Sequence, residues 1–198
     1  MRLADGRSNT ALVALHYQNE VLHAGGKIKL GVAEQGTGRD EVVSAARRLL
    51  AGFRDAGLPV VHVRIAFPPG HAGVLTNAPI FRSVAAAGAC EEGSWGVEFH
   101  EGLEPLADET VITHSRVNAF FGTLLEVHLR RLHVERLVMA GVATNSVVEH
   151  SARHAADMGY HVLVAADACS AARPDVHRAA LDNIALIGEV TTVAELLK

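Results

Sequence analysis

Two histidines and one strand-to-helix turn are the features of this chain whose residue types and positions could do chemistry. His16 follows the apolar run TALVAL, His114 ends TVITH, and GVATNSVVEH (141–150) has the pattern of a buried strand that enters a helix. The N–H groups and dipole of a first helical turn favour developing negative charge. A neutral histidine can take a proton from water, and a protonated partner can supply one to a leaving group. We therefore expect acid–base chemistry at these positions, although a buried histidine satisfied by the backbone is the simpler alternative for each.

The elements that must hold these residues alternate between strands and helices. Short apolar, β-branched runs occur at 10–17, 58–65, 110–114, 135–143, 160–168 and 189–193. Segments with helical spacing of apolar residues occur at 39–57, 119–133, 144–159 and 174–188. This pattern predicts an α/β fold, a doubly wound, mainly parallel six-stranded sheet with helices on both faces, in one domain over 1–198. Because ligand sites lie at the carboxyl ends of such strands, His16, His114 and the turn 141–147 should meet at one edge.

The composition excludes several classes of protein. The 198 residues carry a net charge of −4 and no long Lys/Arg block, which argues against a nucleic-acid partner. No apolar run has the length of a bilayer span, and the N-terminus lacks the apolar core of a signal peptide, so we expect a cytoplasmic protein without membrane contact. Cys90 and Cys169 form neither a disulfide framework nor a zinc spacing. The stretch 66–109 is too long for a simple connection and is predicted to be a functional lid or an interface loop.

Five segments in order resemble the isochorismatase-like (cysteine hydrolase) superfamily over nearly the whole chain. They are YQNEVLHAGG, GSWGVEFHEGL, TVITHSRVNAFFGTLLEVHLR, GVATNSVVEHSARHAADMGY and VLVAADACSA. The resemblance implies a Rossmann-like three-layer fold and a homo-oligomer, either a dimer or a tetramer. It also implies a non-proline cis peptide at Val142–Ala143, with backbone N–H groups of the turn holding an oxyanion.

The chain departs from this superfamily at all three reactive positions. The aspartate that ends the first strand corresponds to His16, the lysine that ends the third to His114, and the nucleophilic cysteine to Val147. A valine side chain cannot form an acyl-enzyme. Replacing only one member of the Asp–Lys pair would leave a buried charge unpaired, whereas replacing both with histidine removes the ion pair and keeps two titratable groups. We therefore interpret the chain as a divergent member that lacks the Asp/Lys/Cys triad.

Six further residues are candidates for substrate binding. Trp95 and Phe120 could form apolar pocket wall, Arg82 and Arg116 could hold a substrate carboxylate, and Asn118 and Asn145 could orient water or substrate. Packing or surface roles are the alternatives for each. His150 and His154 have metal-ligand spacing, but a solvated helix face explains them better, so we expect neither a metal nor another cofactor.

The function predicted from these residues is a hydrolase for a small molecule, with His16 and His114 as general acid and base. The same residues would suit a lyase or an isomerase acting on a small cyclic carboxylate. A non-catalytic relative that binds a ligand or only forms oligomers is the alternative from another class. A structure distinguishes these readings in part, because catalysis needs both imidazoles at one site.

Overall fold

Six parallel strands form one sheet, as the alternating pattern predicts. The computed structural model describes residues 9–29 and 38–198; the predicted domain also includes 1–8 and 30–37, which lie outside the described residues. The strands are Thr10–Leu15 (β1), Val60–Ile65 (β2), Thr110–His114 (β3), Arg136–Gly141 (β4), His161–Ala165 (β5) and Glu189–Thr191 (β6). Their order in the sheet is β3-β2-β1-β4-β5-β6, and every pair is parallel.

Seven helices accompany the strands in the described residues. They are Asn19–Leu22 (α1), Gly38–Asp55 (α2), Pro79–Ala87 (α3), Leu125–Arg131 (α4), Glu149–Asp157 (α5), Pro174–Ile184 (α6) and Val193–Leu196 (α7), with a π-helical turn at Thr144–Val148 before α5. The chain winds outward from β1 to β3, returns to β4 beside β1, and winds outward again to β6. Because parallel crossovers are right-handed, the two halves place their helices on opposite faces of the sheet.

The central strands β1 and β4 form the core of the sheet. All six residues of β1 are buried, as are five of the six in β4. Gly141 ends β4 against Leu15, and a side chain at position 141 would collide with the Leu15 carbonyl oxygen. The glycine therefore lets the turn after β4 lie directly beside the end of β1, where His16 follows.

The helix predicted over 119–133 is mostly wrong, because only Leu125–Arg131 is α-helical. Gly122 has a φ of +71°, which a right-handed helix does not allow. The Thr123 hydroxyl donates to the Ala119 carbonyl at 2.8 Å, and the Asn118 Oδ1 accepts from the Phe120 N–H at 2.8 Å. These side chains take over hydrogen bonds that a helix would otherwise make, so residues 115–124 form a compact irregular loop.

The long segment 66–109, predicted to be a functional lid or an interface loop, contains regular structure of its own. It contains α3 and two single 3₁₀ turns at Pro69–His71 and Trp95–Val97, and part of it packs as a small second core around Phe67 and Phe81. No helix within residues 9–29 and 38–198 is long and apolar enough to cross a membrane.

Candidate active site

His16 and His114 are in direct contact at the carboxyl edge of the sheet. Their Nε2 atoms are 2.5 Å apart, and their ring centroids are separated by 4.8 Å with the planes tilted by 36°. Both residues are buried, with 6% and 5% of their surfaces exposed. The sheet therefore brings together two side chains that lie 98 positions apart in sequence.

The backbone around each strand end fixes this pair. His16 has a φ of +55°, which stops β1 at Leu15, and its N–H donates to the Val63 carbonyl at 2.9 Å. His114 is paired in register with Ile65 at the end of β3, and its carbonyl accepts from the Ala66 N–H at 3.0 Å. The backbone of both histidines is thus held by the end of β2, and β2 lies between their strands.

Burial lowers the pKa of both histidines. The pKa of His16 lies well below its usual value of 6.5, because of burial first and the neighbouring His114 second, while the Val142 carbonyl opposes the shift. Burial lowers the pKa of His114 to about 4, and a hydrogen bond to the Asn118 carbonyl opposes that shift. At neutral pH the pair is therefore neutral, which differs from the expectation that one partner is protonated.

His16 lines a narrow apolar pocket, here called the inner pocket. It has a volume of about 50 Å³ and lies against α1, the end of β2, α3 and the turn after β4. Its lining includes His16, Ile65, Phe67, Phe81, Arg116 and Val142. A volume of this size holds a few water molecules or one small chemical group.

His114 lines a second and wider space, here called the outer cavity. It has a volume of about 570 Å³, and its lining includes Phe67, Thr113, His114, Ser115, Arg116 and Phe121. Phe67 and Arg116 belong to both linings. In the described part of the chain, the two rings therefore form a hydrogen-bonded partition, with one histidine on each side.

The turn after β4 keeps the backbone that the resemblance implies. The Val142–Ala143 peptide is cis, and both residues line the inner pocket. Three N–H groups of the turn already have acceptors: Val142 donates to Leu15, Thr144 to Ser170 and Ser146 to Ala143.

Position 147 does not face the inner pocket. Val147 is 1% exposed and packs in the main hydrophobic core, whereas the neighbouring Ser146 lines the pocket. Ser146 was not among the site residues predicted from the sequence.

Five of the six predicted substrate-binding residues lie outside both linings: Trp95, Phe120, Arg82, Asn145 and Asn118. Trp95 is 47% exposed and meets His23 edge-on, and Asn19 donates to its backbone carbonyl. Phe120 is buried and stacks on His154 with a centroid distance of 5.2 Å. Arg82 donates to the carbonyls of Thr76 and Asn77, and Asn145 is exposed.

Asn118 and Arg116 do lie at the site. Asn118 lines neither the inner pocket nor the outer cavity, but its carbonyl is 3.3 Å from Nδ1 of His114 and so orients that ring. Arg116 stacks over Phe81 with its Cζ 3.8 Å from the ring centroid, and it donates to the Asn77 Oδ1 at 3.1 Å. None of the ion pairs among residues 9–29 and 38–198 includes Arg116. Its charge is therefore available to an anionic ligand at the junction of the two spaces.

Most of the inner-pocket wall was missed in the sequence. Ile80 and Val84 come from α3, and Val21 and Ile28 come from the segment that includes α1. Their apolar character is visible in the sequence. The packing of loops that brings them into one pocket wall is not predicted by the spacing of apolar residues within any single segment. In the same described part of the chain, no group of three or more His, Cys, Asp or Glu side chains is arranged to hold a metal ion.

Comparison with known proteins identifies the family. Residues 10–195 match the isochorismatase domain. The chain is 34% identical over 190 residues to the uncharacterized isochorismatase family protein YecD of Escherichia coli O157:H7, a match that covers 95% of this chain and 94% of that protein. It is 31% identical over 204 residues to the ureidoacrylate amidohydrolase RutB of Methylobacterium radiotolerans, covering 94% and 78% of the two chains.

Solved structures agree with this assignment. An isochorismatase family protein from Burkholderia thailandensis superposes with a TM-score of 0.78 at 30% identity, and the match covers 96% of this chain and 94% of that chain. Family match, sequence relatives and fold all point the same way, and the chain belongs to the isochorismatase family.

Proposed function

We propose that this isochorismatase-family protein is a hydrolase that cleaves a small amide or related carbonyl compound without a cysteine nucleophile. The neutral His16–His114 pair is its general base, and water is its nucleophile. The observation that carries this proposal is the direct Nε2–Nε2 contact of two buried imidazoles beside a pocket. The amidohydrolase among its relatives supports hydrolysis as the reaction class.

The hydrogen bonds support one arrangement of protons in the neutral pair. A carbonyl oxygen can only accept, so Nδ1 of His114 donates to the Asn118 carbonyl. Nε2 of neutral His114 then carries a lone pair and accepts from the Nε2–H of His16. Nδ1 of His16 then carries the remaining lone pair, and we assign it the role of base, with the Val142 carbonyl as the backbone group that accepts from the ring once it is protonated.

The reaction then needs no group that is protonated beforehand. Nδ1 of His16 removes a proton from water as the water oxygen adds to the substrate carbonyl carbon, and the Val142 carbonyl stabilises the imidazolium. The carbonyl oxygen becomes an oxyanion. As the intermediate collapses and the C–N bond breaks, His16 returns the proton to the leaving nitrogen. One water is consumed, and an acid and an amine are formed.

The turn after β4 would hold the oxyanion. The N–H groups of Val142, Thr144 and Ser146 are already committed to other acceptors, so we assign this role to the N–H groups of Ala143 and Val147. Both lie near the start of the helical segment 144–157, where the dipole also favours negative charge. Val147 thus serves through its backbone, while its side chain belongs to the core.

The lining of the inner pocket indicates the kind of substrate. A small apolar group fits between Phe67 and Phe81, and a carboxylate at the mouth would meet Arg116. We therefore propose a small carboxylate-bearing amide or ureido acid as the substrate.

The test is ammonia release from a panel of small primary amides and ureido acids, each carrying a carboxylate. Wild-type protein should hydrolyse at least one, and His16→Asn should lower turnover by about a hundredfold or more, as expected for a lost general base. The matched control is His161→Asn, an exposed histidine at the opposite edge of the sheet, which should keep wild-type activity. Absence of hydrolysis across the panel, or equal activity in His16→Asn, would overturn the proposal in favour of a non-catalytic relative.

A further inference from the structure

The histidine pair separates two spaces of different chemical character. The inner pocket is narrow, and its polar lining groups are His16, Arg116 and Ser146. The outer cavity is more than ten times larger and includes the hydroxyl groups of Thr113, Ser115 and Thr123. Water needs polar partners and room, so it gathers in the outer cavity in preference to the inner pocket.

A substrate in the inner pocket would close the route from His16 to solvent through that side. His16 is buried and lies behind apolar side chains, and a pocket of about 50 Å³ that holds a ligand group and one attacking water has no room for a further chain of waters to solvent. His114 lies on the other side of the partition and lines the open cavity. The only polar contact that joins the two rings is the 2.5 Å hydrogen bond between their Nε2 atoms.

We propose that the outer cavity is a proton port and that His114 is its relay residue. When no leaving group takes it back, a proton taken up at Nδ1 of His16 leaves that ring cationic, and the ring then passes its Nε2 proton to Nε2 of His114. His114 in turn releases its Nδ1 proton to a water molecule of the outer cavity, which becomes hydronium. Both rings end neutral with exchanged tautomers, and the reverse series of hops restores the starting state.

One contact of His114 and the charges around the outer cavity favour release of its Nδ1 proton to water. Its Nδ1 lies 3.3 Å from the Asn118 carbonyl, slightly longer than the usual N–H···O bond, so this proton is weakly held. The charged groups that face the outer cavity are Arg116 and Glu92, and Glu92 is paired with Arg64 at 2.9 Å. A released proton therefore meets water before it meets a free carboxylate.

The port uses the same histidine pair as the proposed hydrolysis, but its test needs no turnover. The measurement is the exchange rate with water of the His16–His114 Nε2 proton, followed by NMR in protein labelled with ¹⁵N-histidine. Ser115 is exposed and lines the outer cavity, so Ser115→Trp places an indole there. Ile80 is half-buried and lines the inner pocket, so Ile80→Trp places an indole in that pocket. We expect Ser115→Trp to slow exchange by about tenfold, a barrier increase of about 1.4 kcal/mol, while Ile80→Trp leaves the rate within about twofold of wild type.

A further variant tests the port without adding an indole that could disturb the fold. Phe121 is 67% exposed and lines the outer cavity, so Phe121→Ala opens the cavity without removing core packing, and it should speed exchange. Slowing by Ile80→Trp together with unchanged exchange in Ser115→Trp and Phe121→Ala would overturn the port. If the protein hydrolyses the amide panel but shows the contradicting exchange rates, the proposed function stands and the proton port does not. If it shows the expected exchange rates without hydrolysis, the proton port stands and the proposed function does not.

Discussion

At the scale of single residues, the site has neutral side chains at positions where the family resemblance implies charged ones. Where the family resemblance implies a carboxylate, an ammonium and a thiol, this chain has two imidazoles and a valine side chain. A single survivor of the ion pair would be an unpaired buried charge, which is costly. Two histidines whose pKa values are lowered by burial are neutral at pH 7 and still keep one lone pair for a proton.

Restoring the cysteine alone should not restore covalent catalysis. Val147 is 1% exposed, so the thiol of Val147→Cys would lie in the core, where burial raises its pKa, as it raises that of the buried Cys169 to about 12. We expect a folded variant that shows no mass increase after incubation with simple amides. Stoichiometric acylation at position 147 in the mass spectrum would contradict this reading of the turn.

Activity should resist mild acid. A base works only while neutral, and the pKa of His114 is about 4 with that of His16 also lowered, so kcat/KM should stay nearly constant from pH 7.5 down to about 5. It should fall below that as the coupled pair takes up a proton. The check is a pH–rate profile on a hydrolysed panel amide, and loss of half the activity near pH 6.5 would mean that an ordinary exposed histidine is the base.

At the scale of elements, strand ends were predictable and loops were not. The apolar runs place His16, His114 and the turn after β4 at the carboxyl edge because parallel strands all end there. The residues 119–124 read as helix because their apolar spacing is helical, yet the positive φ of Gly122 and the hydroxyl of Thr123 prevent it. Spacing cannot reveal which way a loop side chain turns, so Trp95 was expected in the pocket wall and lies outside it.

One side chain ties these strand ends together and offers an element-scale prediction. The fully buried Gln18 amide donates to the carbonyls of Ile65 and Val97 at 3.0 Å each, and its Oε1 accepts from the Ile65 N–H at 2.8 Å. Gln18→Met keeps the volume but leaves these backbone groups unpaired, so the free energy of unfolding should drop by about 2–4 kcal/mol. Urea denaturation checks this.

The control for that variant separates lost hydrogen bonds from altered packing. Lys29→Met changes a polar side chain at an exposed position to the same residue and should leave stability within about 0.5 kcal/mol of wild type. If Gln18→Met were as stable as Lys29→Met, the amide would not be holding the end of β2.

At the scale of the whole molecule, a second buried cluster lies near the opposite edge of the sheet. Glu109 pairs with Arg54 at 2.8 Å and with His62 at 2.9 Å, and His62 is fully buried. Burial raises the pKa of Glu109, but hydrogen bonds from Arg54, from the Leu106 N–H and from His62 outweigh it and lower the pKa to about 2. Burial also lowers the pKa of His62.

These shifts all act in one direction on stability. Below pH 6.5 the unfolded chain protonates histidines that the folded chain keeps neutral, and between about pH 4.5 and 2 it protonates Glu109 before the folded chain does. Stability that is present at pH 7 should therefore fall continuously as the pH decreases. Urea midpoints measured from pH 7 to 3 check this slope.

A pair of variants tests whether the Glu109 carboxylate contributes to the loss of stability at low pH. Glu109→Gln should lower stability at pH 7 and flatten the loss below pH 4.5, whereas Glu135→Gln, at an exposed position, should reproduce the wild-type curve. Identical curves for both variants would show that Glu109 does not contribute to the acid sensitivity.

The most direct test of the central claim is the protonation state of the histidine pair, read from the ¹⁵N shifts of histidine-labelled protein between pH 7.5 and 4. We predict His16 with its proton on Nε2 and His114 with its proton on Nδ1, both neutral down to about pH 5 and coupled through the Nε2–Nε2 bond. Resonances that show either ring doubly protonated at pH 7, or two rings that titrate independently near pH 6.5, would contradict a neutral pair acting as the base.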